Sequence, residues 1–225
     1  MSKKIYIKRL FLIMIVSMVT MTACSKLDVI GNDSKKAYRE LLEAIPNKVT
    51  NNQAGSWKLE APDQSAAFYW SSDYNQTETD VWMEVDIIPF LEAGLDITKL
   101  PKGMVSTNKL IVGQNLLGTS FDYEGEITPL NSMENLIRNY RELLGYHASL
   151  DHFGIDLSGG NMFEWAKDIN TNDLDMVFVL DPEVFEEAGT DLDAIQGWIY
   201  GEVMGMNDKG KMYKVHKLLK PFDVK

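Results

Sequence analysis

Read for its alternation of apolar and polar positions, the chain divides into helical and extended segments in a repeating order. Ala37, Leu41, Leu42 and Ile45 fall at helical spacing, as do Leu136, Ile137, Tyr140, Leu143 and Leu144, and each set predicts an amphipathic helix. Ser132, with Glu134 and Asn135 after it, reads as a start signal for the second helix. Short apolar runs at Phe68–Trp70 and Phe163–Trp165 predict strands, and the β-branched and aromatic runs Val81–Val85 and Met176–Leu180 predict stronger ones. Two short helices should follow and stop at Ala93-Gly94 and Ala188-Gly189, because glycine takes the left-handed conformation at low cost. Further strands are expected at Lys109–Asn115 and Trp198–Met204. Asn207-Asp208-Lys209-Gly210 is a turn sequence leading into Met212–Leu218, and Ser120–Ile127 is expected to close the first half.

The pattern repeats because the sequence does. Residues 80–96 and 175–191 align without a gap at an offset of 95, with Asp80, Asp86, Phe90, Glu92, Ala93, Gly94 and Asp96 recurring as Asp175, Asp181, Phe185, Glu187, Ala188, Gly189 and Asp191. Phe68 and Trp70 recur as Phe163 and Trp165 at the same offset. Tyr38-Arg39-Glu40-Leu41-Leu42 recurs as Tyr140-Arg141-Glu142-Leu143-Leu144 at an offset of 102, which implies seven residues inserted in the second copy's first connection. The expectation is a tandem duplication, 33–125 and 132–225, of a helix–strand–strand–short helix–strand–strand unit. The fold class is α+β, with antiparallel sheets carrying helices on one face.

Ahead of the repeats stands a different kind of segment. Lys3, Lys4, Lys8 and Arg9 precede the uncharged apolar run Leu10–Val19, and Met21-Thr22-Ala23-Cys24 follows. A basic region, an apolar region and small residues in that order mark a secretory signal. About ten apolar residues are too few to cross a hydrocarbon layer that needs about 20. Met21-Thr22-Ala23-Cys24 resembles the lipobox of bacterial lipoproteins. That resemblance implies a signal peptide over 1–23, diacylglyceryl transfer to Cys24 with palmitate-type chains, and a tether over 24–32. The partner so implied is the outer face of a cell membrane, and the outer membrane if the source has two. Cys24 is the single cysteine of 225 residues, so no internal disulfide forms and acylation accounts for the thiol.

Charge narrows the partners. Residues 1–23 hold 4 of the 22 Lys and Arg and none of the 33 Asp and Glu, so the part from Cys24 carries 18 basic and 33 acidic side chains, a net −15. Nucleic acid and anionic surfaces suit such a chain poorly. With 45% hydrophobic residues and five tryptophans, composition predicts a folded core.

Chemistry is sparse. Asp86, Asp96, Asp181 and Asp191, two from each copy, could converge on a hard cation. The alternative is structural: Asp181 before Pro182, and Asp86 at the matching position, would cap the short helices, while Asp96 and Asp191 would cap the turns after the glycine stops. Asp168–Asp173 opens like an EF-hand loop but lacks its glycine and closing glutamate. His147, expected just past a helix end, His152 and His216 find no cysteine or third clustered histidine to complete a zinc set. Ser158-Gly159-Gly160-Asn161 could bind an anion but reads first as a turn between strands. No nucleophile elbow or phosphate-cradling loop is present, and neither metal, cofactor nor catalytic residue is assigned. Among the aromatic residues Tyr69, Trp70, Tyr74, Trp82, Trp165 and Trp198, most fall in strands and read as core. Tyr69 and Tyr74, bordering the polar stretch Ser71–Thr79, are the pair expected to be exposed. Tyr69, Trp70, Tyr74 and Trp165 join the four aspartates as candidate binding residues.

Three function classes follow. One is an anchored module binding a small ligand between the repeats. Another is an envelope accessory protein binding a second exported protein. An extracytoplasmic hydrolase is the third. A closed pocket with polar groups would favour the first, and an exposed apolar patch or open sheet edge the second. A conventional solute-binding fold is disfavoured, since it uses longer, regularly alternating βα units.

Overall fold

The computed structural model describes residues 25–45, 49–51, 55–74, 79–115, 117, 123–147, 150–169, 174–206 and 212–224. Helix α1, Ser25–Ala44, buries Ala37, Tyr38, Leu41 and Ile45 along one stripe. The residues expected as a tether are its first turns, so the chain enters the domain as a helix. Strands β1 (Val49–Asn51), β2 (Ser56–Glu60), β3 (Ala66–Ser71), β4 (Val81–Asp86), β5 (Val105–Ser106) and β6 (Lys109–Asn115) form a sheet in the order β1-β2-β3-β4-β6-β5. Between β4 and β5 lie the short helix α2, Ile88–Glu92, and a 3-10 turn, Ile97–Lys99.

The second half follows the same order. Helix α3 (Pro129–Asn139) leads into β7 (Leu144–His147), β8 (His152–Asp156), β9 (Met162–Ala166) and β10 (Met176–Leu180). Helix α4 (Glu183–Glu187) and a 3-10 turn (Leu192–Ala194) come next, then β11 (Ile199–Met206) and β12 (Met212–Phe222). Its sheet runs β7-β8-β9-β10-β12-β11, the strand order of the first, and all pairings in both sheets are antiparallel. The chain is α+β.

The registers locate the correspondence residue by residue. Phe68 faces Met83 and Phe163 faces Phe178, each pair displaced by 95. The helices obey the same offset. Trp165 Nε1 donates to the carbonyl of Ser34 at 3.3 Å, and Trp70 Nε1 donates to that of Pro129 at 3.3 Å. The sequence match at offset 102 therefore has no structural counterpart: Tyr38–Leu42 is helical, whereas Tyr140–Leu144 lies beyond α3 in a 3-10 turn and the start of β7. The extra residues of the second half lie instead in its last hairpin. Asn115 faces Val81 while Phe222 faces Met176, an offset of 107. Lys109–Asn115 is thus the counterpart of β12 rather than of Trp198–Met204. Residues 123–127, the described part of the expected strand Ser120–Ile127, form none. Thr128 rather than Ser132 starts α3, accepting from Asn131 N–H at 3.1 Å; Ser132 is buried and donates to the Ser71 carbonyl.

One hydrophobic core spans both halves. Phe68 stacks on Phe163 with ring centres 4.5 Å apart, and Phe90 meets Phe185 at 4.8 Å. Two reciprocal hydrogen bonds join the glycine stops: Asp96 N–H donates to the Ala188 carbonyl at 3.0 Å, and Asp191 N–H to the Ala93 carbonyl at 2.8 Å. Helix α1 lies against β9 and α3 against β3, so each leading helix packs on the other half's sheet. Among the described residues no helix is long and apolar enough to cross a membrane.

Candidate functional site

The halves correspond in topology but not in surface, and the candidate sites lie where they differ. The largest difference is the last hairpin. Leu218–Phe222 of β12 pair with β10, while Met212–Leu219 pair with β11. Residues Met212–Lys217 and their partners on β11 therefore form a two-stranded ribbon running past the sheet. Such a ribbon has no third strand beside it, and two strands alone are of marginal stability. Met204 is 42% exposed, Met212 51% and Tyr213 48%. Glu202 and Lys214 pair across it at 2.7 Å, and Tyr200 meets the His216 ring at 5.3 Å.

A groove of about 620 Å³ opens between the halves. One wall is Pro101–Met104 and Ile111–Gln114, the other Ser158, Gly159, Asn161, Asp181, Glu183, Val184 and Glu187. Its floor follows from one close approach. Gly113 has φ +66°, and a Cβ there would stand 2.8 Å from Leu157 Cβ, so only glycine lets the Ser158–Gly160 turn settle on β6. Ser158 Oγ donates to the Gln114 carbonyl at 2.6 Å, and Asn161 Oδ1 accepts from Asp181 N–H at 3.2 Å. Lys217 Nζ holds Asp181 Oδ2 at 2.6 Å and donates to the Gly160 carbonyl at 2.8 Å. On the opposite side of the molecule the matching place is closed. Lys220 reaches from β12 to Asp63 at 3.6 Å, with its ammonium 5.8 Å from the centre of the Trp198 ring.

The third feature is a buried ionic cluster on the outer face of the second sheet. Glu164 of β9 is 2% exposed and lies between two histidines. His147 Nδ1 approaches Oε1 at 2.8 Å and His152 Nδ1 approaches Oε2 at 3.5 Å. The hydrogen bond to Glu164 raises the His147 pKa above its ordinary value against the pull of burial. Burial pushes Glu164 up, but hydrogen bonds and charge from the two histidines outweigh it and hold the carboxyl below its ordinary range. Sequence spacing suggested His147 beyond a helix; it is on β7, directly opposite His152 of β8. Glu164 was not singled out from sequence, because only strand pairing brings it to the histidines. Its counterpart at offset 95 is Tyr69, which stacks on Trp82 at 4.7 Å and donates to Glu84 at 3.0 Å.

The aromatic candidates fall in the interior. Trp70, Trp165 and Tyr74 belong to the core. Tyr69 and Tyr74, expected to be exposed, are both buried: Tyr69 is on β3, all six residues of which are buried, and Tyr74, three residues past its end, packs into the core. Residues 75–78 of the polar stretch Ser71–Thr79 lie outside the described residues, as do 170–173 of the EF-hand-like stretch and Cys24.

Only Asp96 caps as expected; Asp86 and Asp181 stand one residue ahead of the N-caps, which are Ile87 and Pro182, so Pro182 is at the cap and not at the first helical position. Asp86 Oδ1 accepts from Ile88 N–H at 3.2 Å and Asp181 Oδ1 from Glu183 N–H at 3.1 Å, holding the first turns of α2 and α4. Asp96 Oδ1 accepts from Thr98 N–H at 3.0 Å and from its hydroxyl at 2.6 Å. Asp191 differs, with no capping bond from its side chain. Among the described residues no three of His, Cys, Asp and Glu are placed to hold a metal ion.

No family model matches the chain, and neither a curated protein nor a solved structure is similar to it.

Proposed function

We propose that this chain is a lipid-anchored extracytoplasmic protein, a tandem duplication whose second half binds another exported protein. The observation that carries the binding is the ribbon. Among the described residues it is the hairpin that departs most from the common strand plan, and it presents Met204, Met212 and Tyr213 to solvent. Scattered single apolar side chains on a surface need no explanation. Three of them on a two-stranded projection that the other half lacks do, because nothing in the fold requires the extra length. The anchor reading rests on the segment Lys3–Cys24 and on the lone cysteine. It predicts that Cys24→Ser moves the protein from the membrane fraction to the soluble fraction and abolishes labelling by radioactive palmitate.

Photocrosslinking tests the binding. An amber-encoded photoreactive phenylalanine in place of Tyr213 should yield one discrete crosslinked species in intact cells, and the same residue in place of exposed Glu43 on α1 should not. Equal, diffuse adducts from both positions would sink the reading.

The open groove favours a second reading, an anchored receptor for a small ligand. It lies between two packed halves, a place where ligands commonly bind. A thermal-shift screen against metals, sugars, amino acids and peptides tests it. A ligand at 100 times its Kd stabilises by about 2.7 kcal/mol, which shifts a domain of this size by several degrees.

A further inference from the structure

Strand register puts Lys220 and Val112 in matching places. Lys220 of β12 faces Phe178, and Val112 of β6 faces Met83, the residue 95 positions before Phe178. The turns that meet these strands match at the same offset. They are Asp63-Gln64-Ser65 on one side of the molecule and Ser158-Gly159-Gly160 on the other, with φ +62° at Gln64 and +69° at Gly159. On the Lys220 side the space is filled from within. Lys220 is 6% exposed, and its ammonium lies 3.6 Å from Asp63 and 5.8 and 5.7 Å from the centres of the Trp198 and Phe222 rings. A carboxylate and aromatic faces offset the cost of taking an ammonium out of water. On the other side Val112 has no chain to send across, and it lines the open groove of about 620 Å³.

Resting on the small-ligand reading above, we propose that the open groove takes a primary ammonium group on an alkyl chain, the group that Lys220 supplies on the closed side. The carboxylates come from a different element. Ser158 stands where Asp63 does, so the turn on this side is neutral. Helix α4 instead carries Glu183 and Glu187, one turn apart, both exposed and both in the groove wall. Neither forms an ion pair among the described residues. The fold itself requires no charge at 183, since the matching residue of α2 is Ile88, 46% exposed. Of the other charges in the wall, Asp181 is held by Lys217, and Lys102 is exposed on the far side. Two carboxylates against one lysine leave the groove negative. Met104, Ile111 and Val184 supply apolar surface along which an alkyl chain can lie.

Calorimetric titration of the full chain in detergent tests the assignment. The ligands are n-pentylamine, 1,5-diaminopentane and a lysine blocked as its N-acetyl amide, with n-pentanol and pentanoate as neutral and anionic controls. The amines should bind and the controls should not. Combining Glu183→Gln with Glu187→Gln, both exposed and so harmless to the fold, should weaken the amines at least about tenfold. Val112→Lys, which supplies on this side the group that Lys220 supplies on the other, should abolish amine binding while the circular dichroism stays that of the wild type. Tighter binding of the blocked lysine than of the free amines would assign the ammonium to a lysine side chain of a peptide, and the reverse order to a free amine. Equal affinity for pentylamine and pentanol overturns the proposal, as does undiminished amine binding after both glutamate substitutions. The thermal-shift screen separates the two levels of failure. If no amine binds but an uncharged or anionic compound raises Tm, and Val112→Lys removes that rise, the receptor reading stands and the ammonium falls. If no compound raises Tm, both fall.

Discussion

At the scale of single residues, the most consequential side chain is Glu164, a carboxylate that the fold has nearly removed from water. Burying an ion costs several kcal/mol unless charge and hydrogen bonds offset it. His152 on the adjacent strand β8 and His147 on β7 beyond it provide the offset. The signs set a pH window. The His147 pKa is raised on folding, so its contribution is fully present below the unfolded value of about 6.5 and is lost as pH rises through the folded value. The Glu164 pKa is lowered, so its contribution is present above an unfolded value of about 4.3 and is lost as pH falls through the folded one. The cluster therefore contributes most between about pH 4.3 and 6.5. Glu164→Gln should cost about 2–3 kcal/mol near pH 5.5, and the cost should shrink as pH rises through the folded value of His147. Urea midpoints at pH 5.5 and pH 9 measure it. A cost equal at both would show that His147 does not titrate against this carboxylate.

At the scale of elements, the molecule is held by contacts that pair each residue with its own counterpart. Phe68 on Phe163 and Phe90 on Phe185 are two such contacts, as are the reciprocal bonds at the glycine stops. Phe163→Ala should destabilise by about 3–5 kcal/mol. Phe68→Ala should cost a similar amount, and the double variant less than the sum, since both remove one stacked pair. Additivity in a double-mutant cycle would mean that the rings do not support each other. Gly113→Ala tests a different contact. Its φ of +66° and the 2.8 Å approach to Leu157 should make the added methyl cost about 1–3 kcal/mol in thermal or urea unfolding. These elements also show what the sequence could reveal. The gapless offset of 95 between Asp80 and Asp96 gave the strand and short-helix correspondence, because those residues sit at turns and core positions that tolerate little change. Tyr38–Leu42 misled, because a five-residue match carries no register. The helices instead match through Ser34 and Pro129, which share no identity and meet only in the tryptophan bonds they accept. The Glu164 cluster was illegible for a related reason. His147, His152 and Glu164 lie on three strands whose pairing, not spacing, brings them together.

At the scale of the whole molecule, the two sequence repeats share one hydrophobic core. The buried tryptophans of β9 and β3 each donate to the helix that leads the other half: Trp165 to α1 and Trp70 to α3. Tyr38 of α1 touches both rings, at 6.0 Å from Trp70 and 5.3 Å from Trp165. A half cut away at the sequence boundary therefore loses the helix that packs on its own sheet and keeps one that packs on the other half's. A chain of about 90 residues can fold alone when its core is complete; here the core is completed only by exchange. The chain should unfold in one cooperative transition, with coincident near-UV and far-UV signals. Residues 33–125 and 132–225 made separately should lack near-UV structure, and mixing them should restore it. Native-like dispersion in the NMR spectrum of either half alone would show that the exchange of helices is not needed to complete the core. The ribbon stands outside this interlock, since Met212–Lys217 pair only with β11. Its residues can change with the partner while the shared core holds the fold.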